Sequence, residues 1–423
     1  MNNNLLPRTL AFLCILYGLP TNSLFQQASG QQESGQAATR LAGELLSSKT
    51  PKTDLLNQRL KEAGNNAAQL RLALEKCKSS DEETACLRFL IENMPKEDLQ
   101  TLQGEFLIKN IRTALQARSD NAWSRKIPFD VFLNDVLPYA SVNEKREDWR
   151  TDFYKRFKDL VKNCQTSGEA AQELNRQIFQ ILQVKYSTQR KKPDQSPSES
   201  MESGLASCTG LSVILTDACR SVGVPARVVG TPLWVNKRGN HTWVEVWDEG
   251  HWKFTGACEY NSSGLNRGWF AGIASQADSD QMIHRIYATS FKKTDQHFPM
   301  VWKRQSKEVP SVDVTWRYTG KPKPKAAGEF TVAIRLVNQV GQRVKLPILI
   351  TAPNGQTIAS GTTRDESNDA NDFFEVNLKP GSYNASIPSP SRSGNYGKTT
   401  FPIVVKPEDN QIHQLQLRKD GQK

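Results

Sequence analysis

The sequence predicts an α+β chain in three parts: a helical N-terminal region, a mixed core built on an antiparallel sheet, and a C-terminal β-sandwich. Three observations predict it. Apolar residues recur at spacings of three and four up to about residue 189. A single helical stretch after Cys208 is followed by three alternating stretches up to about residue 258. From Val312 onward, short alternating runs are separated by Gly, Pro and Asn.

The chain has 423 residues, which suggests two to four domains. Residues 1–23 read as a secretory signal. Arg8 precedes an apolar run at 9–19 that is too short to span a bilayer, and Thr21 and Ser23 fit a cleavage site. No later segment is long and apolar enough for a membrane helix, so the expected location is secreted, periplasmic or at the cell envelope. Residues 24–40, rich in Gln, Ser, Gly and Ala, read as a disordered leader.

Residues 41–189 form the helical domain. Leu70, Leu74 and Cys77 share one face, as do Leu87, Leu90, Ile91 and Met94, before Pro95 ends that element. Trp149, Phe153, Phe157 and Leu160 recur at helical spacing and read as core. Residues 190–204 are polar and rich in Pro and Ser, which predicts a loop or hinge in front of Cys208.

The core is assigned to 190–306. Leu211, Ile214, Leu215, Ala218 and Cys219 repeat as a buried helix does, and Gly223 and Pro225 end it. Strands follow at 226–230, 241–247 and 252–258, with 248–251 as the turn of a hairpin. Residues 307–423 form the sandwich, with strands at 331–337, 346–350, 373–378, 401–405 and 412–417 and a turn leading into a strand over 378–387, and read as a binding or spacer module.

Composition narrows the function classes. Hydrophobic residues make up 37% of the chain, enough for several modest cores and too little for a multispan membrane protein. The net charge of +11 favours anionic partners, such as an envelope polymer. No nucleic-acid motif accompanies that charge. Of seven cysteines, six follow the signal, and Cys77 and Cys86 flank a short polar loop as the natural candidates for a bridge. No Cys-x-x-Cys or His-x-x-x-His spacing points to a metal or cofactor.

The chemistry centres on Cys208 and His241. A thiol at a helix start, with an imidazole on a following strand, supplies the parts of an activated sulfur nucleophile. Ser207 and Thr209 flank the sulfur, where either can cap exposed amides and line a substrate cleft. Those amides also suit an oxyanion. Trp243 alternates with His241, shares its face and is a candidate cleft wall; Glu245 lies on that face too and suits a buried pair with Arg227.

The string SCTGLSVILTDACRSVGVPARVVGTPLW, followed by NHTWVEVWDEGHWKFTGACEYN, resembles the transglutaminase-like superfamily of cysteine enzymes over about residues 200–275. The shared features are a Cys opening a helix, Gly-Val-Pro-Ala-Arg turning into a strand, and His-x-Trp-Val-Glu-Val. The resemblance implies a papain-like core with a Cys-His-Asp triad acting by acyl transfer or hydrolysis on amides of a protein or peptide substrate. Cys208 and His241 correspond to its nucleophile and base. The family's Asp position is occupied here by Gly256. Glu259 is the nearest carboxylate downstream and serves if the strand ends near Gly256. Asn261 is a second candidate, and a histidine with no side-chain partner is the third reading, under which the chain is a non-catalytic secreted scaffold that keeps the fold.

Overall fold

The computed structural model describes residues 51–320, 328–389, 397–408 and 410–417. The expected signal and leader lie outside the described residues. Among the described residues, no helix is long and apolar enough to cross a membrane.

The first layer is helical: α1 (Pro51–Glu62), α2 (Ala67–Cys77), α3 (Asp81–Asn93), α4 (Lys96–Thr101), α5 (Gly104–Asp120) and α6 (Phe129–Asp135). Their apolar faces meet around Leu70, Leu87, Leu90, Leu107, Ile111 and Phe132. Local chemistry starts α3: the Ser80 hydroxyl accepts from the Glu83 amide, and Asp81, Glu82 and Glu83 sit where the helix dipole favours negative charge. Cys77 and Cys86 are free thiols buried in this core, not the expected bridge. Burial pushes the Cys77 thiol up to about 11 and the Cys86 thiol higher still, so both behave as small apolar side chains.

The core layer begins earlier than the composition suggests. Helices α7 (Trp149–Phe157) and α8 (Ser167–Ile181) carry Phe153, Phe157, Leu174 and Ile178 into one cluster with Ile214, Ala218 and Val244. The boundary expected at 190 therefore cuts through a packed unit. The supposed hinge before Cys208 is also structured. After β1 (Lys185–Tyr186) it forms α9 (Pro197–Ser203), opened by a capping box in which Ser196 and Glu199 satisfy each other's backbone amides. A parallel pair then joins β2 (Leu205–Ala206) to β1 and delivers the chain to α10 (Cys208–Ser221).

Helix α10 is buried along nearly its whole length. It ends where the left-handed Gly223 (φ +85°) turns the chain toward β3. A Cβ at Gly223 would lie 2.5 Å from Ser124 Oγ and 3.1 Å from the Ala117 carbonyl oxygen. Gly223→Ala is therefore expected to cost about 1–3 kcal/mol, from backbone strain and overpacking together; a chemical-denaturation midpoint equal to that of the parent would refute this.

The sheet behind α10 has the order β5-β4-β3-β6-β8-β7, antiparallel throughout, from β3 (Ala226–Thr231), β4 (His241–Asp248), β5 (His251–Thr255), β6 (Tyr287–Thr289), β7 (Gln296–His297) and β8 (Pro310–Asp313). Strands β4 and β5 form a hairpin whose loop residues, Glu249 and Gly250, both have positive φ, the type I′ geometry that matches strand twist. Because β8 pairs with β6 and β7, and α11 (Thr315–Tyr318) follows it, the core extends past the boundary expected at 307.

The final module comprises β9 (Phe330–Val337), β10 (Pro347–Thr351), β11 (Thr357–Thr362), β12 (Phe374–Leu378), β13 (Gly381–Ser389), β14 (Gly397–Val405) and β15 (Gln411–Gln416). Sheets β11-β10-β13-β14 and β12-β9-β15 enclose Ile334, Leu336, Ile348, Ile350, Ile387 and Ile403. This is the expected β-sandwich, with β11 as an additional strand. The connection from β11 to β12, residues 363–373, reaches the core and brings the sandwich to the site.

Candidate active site

Ser207 is the N-cap of α10. Its hydroxyl accepts from the Gly210 amide at 3.0 Å and donates to the Pro193 carbonyl at 2.6 Å. The Leu211 amide bonds back to the Ser207 carbonyl. The Cys208 and Thr209 amides have no acceptor among the described residues, which leaves them for a ligand oxygen. Thr209 is buried, and its hydroxyl shares a 3.1 Å hydrogen bond with Thr242, pinning the start of α10 to β4 beside His241. Ser207 and Thr209 therefore position the helix and do not line the cleft, contrary to the sequence expectation.

His241 opens β4 and is buried. Its ring packs in an aromatic box, with centroids 4.8 Å from Trp269, 5.0 Å from Phe270 and 5.8 Å from Trp243. Trp243 is fully buried behind the histidine and donates to the Tyr318 hydroxyl, so it supports the imidazole and is no cleft wall.

The sulfur of Cys208, a ring nitrogen of His241 and a carboxylate oxygen of Asp369 lie within 4.8 Å of one another. Asp369 Oδ2 stands 3.4 Å from His241 Nδ1, and both side chains are buried. The contact is an ion-pair approach, not an aligned hydrogen bond, because neither ring nitrogen has a well-formed partner. Burial favours the neutral ring, but the Asp369 carboxylate and the Cys208 sulfur outweigh it and hold the imidazole well above its ordinary range. Burial likewise opposes the Asp369 charge, and the His241 imidazolium overcomes it to keep that carboxyl below its ordinary range.

Glu259 does not take the place beside Nδ1. Strand β5 ends at Thr255, as this role would need, but the side chain folds back over Gly256. A Cβ at Gly256 would lie 2.0 Å from Glu259 Oε2, so Glu259 fills the volume into which a side chain at 256 would project. Its Oε1 accepts from Trp269 Nε1 at 3.0 Å, and Oε2 has no partner. Burial pushes this carboxyl up to about 7, even though His241 pulls it down. Asn175 on α8 holds the turn in place: it donates to the Gly256 carbonyl at 2.9 Å and accepts from the Cys258 amide at 2.9 Å. Asn261 lines the cleft.

Asp369 belongs to the 363–373 connection of the sandwich. Arg343 shapes that loop by donating to the carbonyls of Asn368, Asp369 and Asp372. Asp369 itself accepts from the Asn371 amide at 2.9 Å. The loop is fastened to the core by Asn371 Nδ2 donating to the Asn240 carbonyl (3.0 Å) and by the Ala370 amide donating to the Tyr186 hydroxyl (2.9 Å), and the start of β12 after it by an Arg238–Glu375 ion pair. Together they enclose a cleft of about 330 Å³, lined among others by Tyr186, Tyr260, Trp269, Lys345 and Arg364.

Residues 155–255 match the transglutaminase-like superfamily. This stretch is a transglutaminase-like core. The match contains Cys208 and His241 and stops before Glu259 and Asp369. Of the curated proteins, none matches this chain. Among solved structures, a candidate cysteine protease from Cytophaga hutchinsonii is similar at 17% identity and a TM-score of 0.23, over 39% of this chain and 57% of its own. The Bacillus anthracis TIE protein is similar at 12% identity and a TM-score of 0.17, over 46% of this chain and 30% of its own. The chain thus spans little more than half of the first of these structures and less than a third of the second. Within the transglutaminase-like core, Glu245 pairs with Arg227 at 2.6 Å, as β-strand alternation suggests.

Proposed function

We propose that this chain is a cysteine enzyme that attacks amide carbonyls of proteins or peptides, with Cys208 as nucleophile, His241 as general base and acid, and Asp369 as the orienting carboxylate. The observation that carries this reading is the buried approach of Asp369 to His241 Nδ1, with Cys208 sulfur in the same cluster. The thiolate attacks the carbonyl carbon, forming a C–S bond as the oxygen takes negative charge beside the Cys208 and Thr209 amides. As that intermediate collapses, the C–N bond breaks and the imidazolium gives its proton to the departing amine. Water or a second amine then attacks the thioester, His241 accepts its proton, and the thiolate leaves.

The alternative, a scaffold that keeps the fold without the chemistry, draws its support from the glycine at 256. We assign the role of the carboxylate that Gly256 lacks to Asp369, on the strength of its approach to His241. We also place the protein outside the cytoplasm, on the strength of Arg8 and the apolar run that follows it.

Iodoacetamide at neutral pH tests the catalytic reading. Cys77, Cys86 and Cys219 are buried, and Cys208 should be alkylated ahead of the partly exposed Cys164 and the exposed Cys258, whose thiols local desolvation and neighbouring carboxylates hold above the ordinary range. His241→Ala should slow alkylation of Cys208 by about 10-fold or more, since the thiolate loses its counter-charge. Equal rates in the two proteins would leave the scaffold reading standing. A chelator belongs in the assay, because sulfur, imidazole and carboxylate are also zinc donors.

A further inference from the structure

A second cavity, of about 400 Å³, lies away from the triad where the helical layer meets the far edge of the core sheet. Its walls come from α1, the α3–α4 junction, the turn after β6 and the approach to β8. Six cationic side chains line it: Arg59, Arg146, Arg220, Lys96, Lys293 and Lys307. The three arginines are committed. Arg59 donates to the Ile91 and Met94 carbonyls and pairs with Glu62; Arg146 binds Asp98; Arg220 donates to the Asp135, Ala140 and Ala226 carbonyls.

The three lysines are different. All are exposed, and none has an acidic partner within ion-pair distance among the described residues. The only carboxylate in the lining, Glu308, is paired outward with Lys303 at 2.6 Å. Lys293 registers the imbalance: partial desolvation against the cavity wall lowers its ammonium, and Arg59 lowers it further while Glu62 restores part of the loss. Three ammonium groups without an acidic partner, lining one concavity, produce a local positive potential that low-dielectric walls focus. A ligand that satisfies them carries several negative charges close together, which a single carboxylate does not.

We propose that this cavity is a binding site for a chain of phosphates, held by Lys96, Lys293 and Lys307. A free oligophosphate and the phosphodiester backbone of an envelope polymer present the same chemistry. Binding here would tie the helical layer to the core, independently of the triad.

Titration calorimetry on the full chain at low ionic strength tests this, with inorganic tripolyphosphate in one arm and long-chain polyphosphate in the other. At least one probe should bind, raise the thermal midpoint, and weaken as salt is added. The Lys293→Glu/Lys307→Glu variant should lose at least 10-fold in affinity, while Lys293→Arg/Lys307→Arg keeps it. Tighter binding of the long chain identifies a polymer as the source, and equal binding identifies a free phosphate. The proposal fails if neither probe binds, or if charge reversal leaves the affinity within twofold. These surface lysines hold no contact the fold depends on, so a loss of affinity in the variant reports on the cavity.

Discussion

Asp369→Ala lowers the amide turnover proposed above by about 10²–10⁴-fold at neutral pH, and slows alkylation of Cys208 by no more than His241→Ala does, about 10-fold. The reason lies in the two forces on His241. Burial alone would drive the ring neutral, and the Asp369 carboxylate at 3.4 Å is the main force opposing that. Without it the imidazolium is no longer held above its ordinary range, so the pH range in which His241 carries a positive charge beside the sulfur contracts from its alkaline side. The gap between variant and parent narrows toward pH ~10, where free thiols ionise unaided. Asp369→Asn keeps the shape without the charge and should behave almost as badly. Glu259→Gln should change the rate by less than about 10-fold, because Glu259 contacts Trp269 and stands apart from Nδ1. A larger loss from Glu259→Gln than from Asp369→Ala would exchange the roles of the two carboxylates.

Glu245→Ala should destabilise the core by about 3–5 kcal/mol, read as a lower urea midpoint for core unfolding. Its carboxylate accepts from Arg227 Nε at 2.9 Å and Nη2 at 2.6 Å, from the Tyr318 hydroxyl at 2.8 Å and from Arg317 at 3.2 Å. Arg227 is buried, and its other neighbour is the face of Trp252, 3.7 Å away. Removing the carboxylate leaves a buried guanidinium without a counter-charge, which costs far more than the pair contributes. The double variant Arg227→Met/Glu245→Leu removes both charges and should recover most of the loss. A single variant as stable as its parent would mean that water reaches the guanidinium, contrary to its burial.

Cys208 and His241, the proposed nucleophile and base, were legible as a pair because each is defined by its neighbours in sequence. A Ser-Cys-Thr-Gly start before a run of three-and-four spacing marks a capped helix, and His-Thr-Trp-Val-Glu-Val marks a strand by alternation alone. The same alternation placed Glu245 opposite Arg227. Asp369 carries no such mark. It sits among Asp, Asn and Ser residues that read as an ordinary turn, and its meeting with His241 depends on how the sandwich docks. One signal was available: the connection between β11 and β12 is longer than a sandwich turn needs, and such loops are commonly functional. The domain boundaries slipped for a related reason. Helices α7 and α8 resemble the preceding helices in composition, and only packing against α10 assigns them to the core. Ser207, Thr209 and Trp243 share the right local pattern for the cleft, but local pattern does not tell a residue that lines a cavity from one that braces it.

Locating the acid in a loop far downstream of the sulfur has a bearing on synthesis. A ribosome-bound chain that has emerged only through the sheet exposes cysteine and histidine without their carboxylate, and so does a fragment clipped ahead of the sandwich. Under the mechanism proposed above, full reactivity waits until that loop has been made and has docked, and a shorter copy stays chemically quiet.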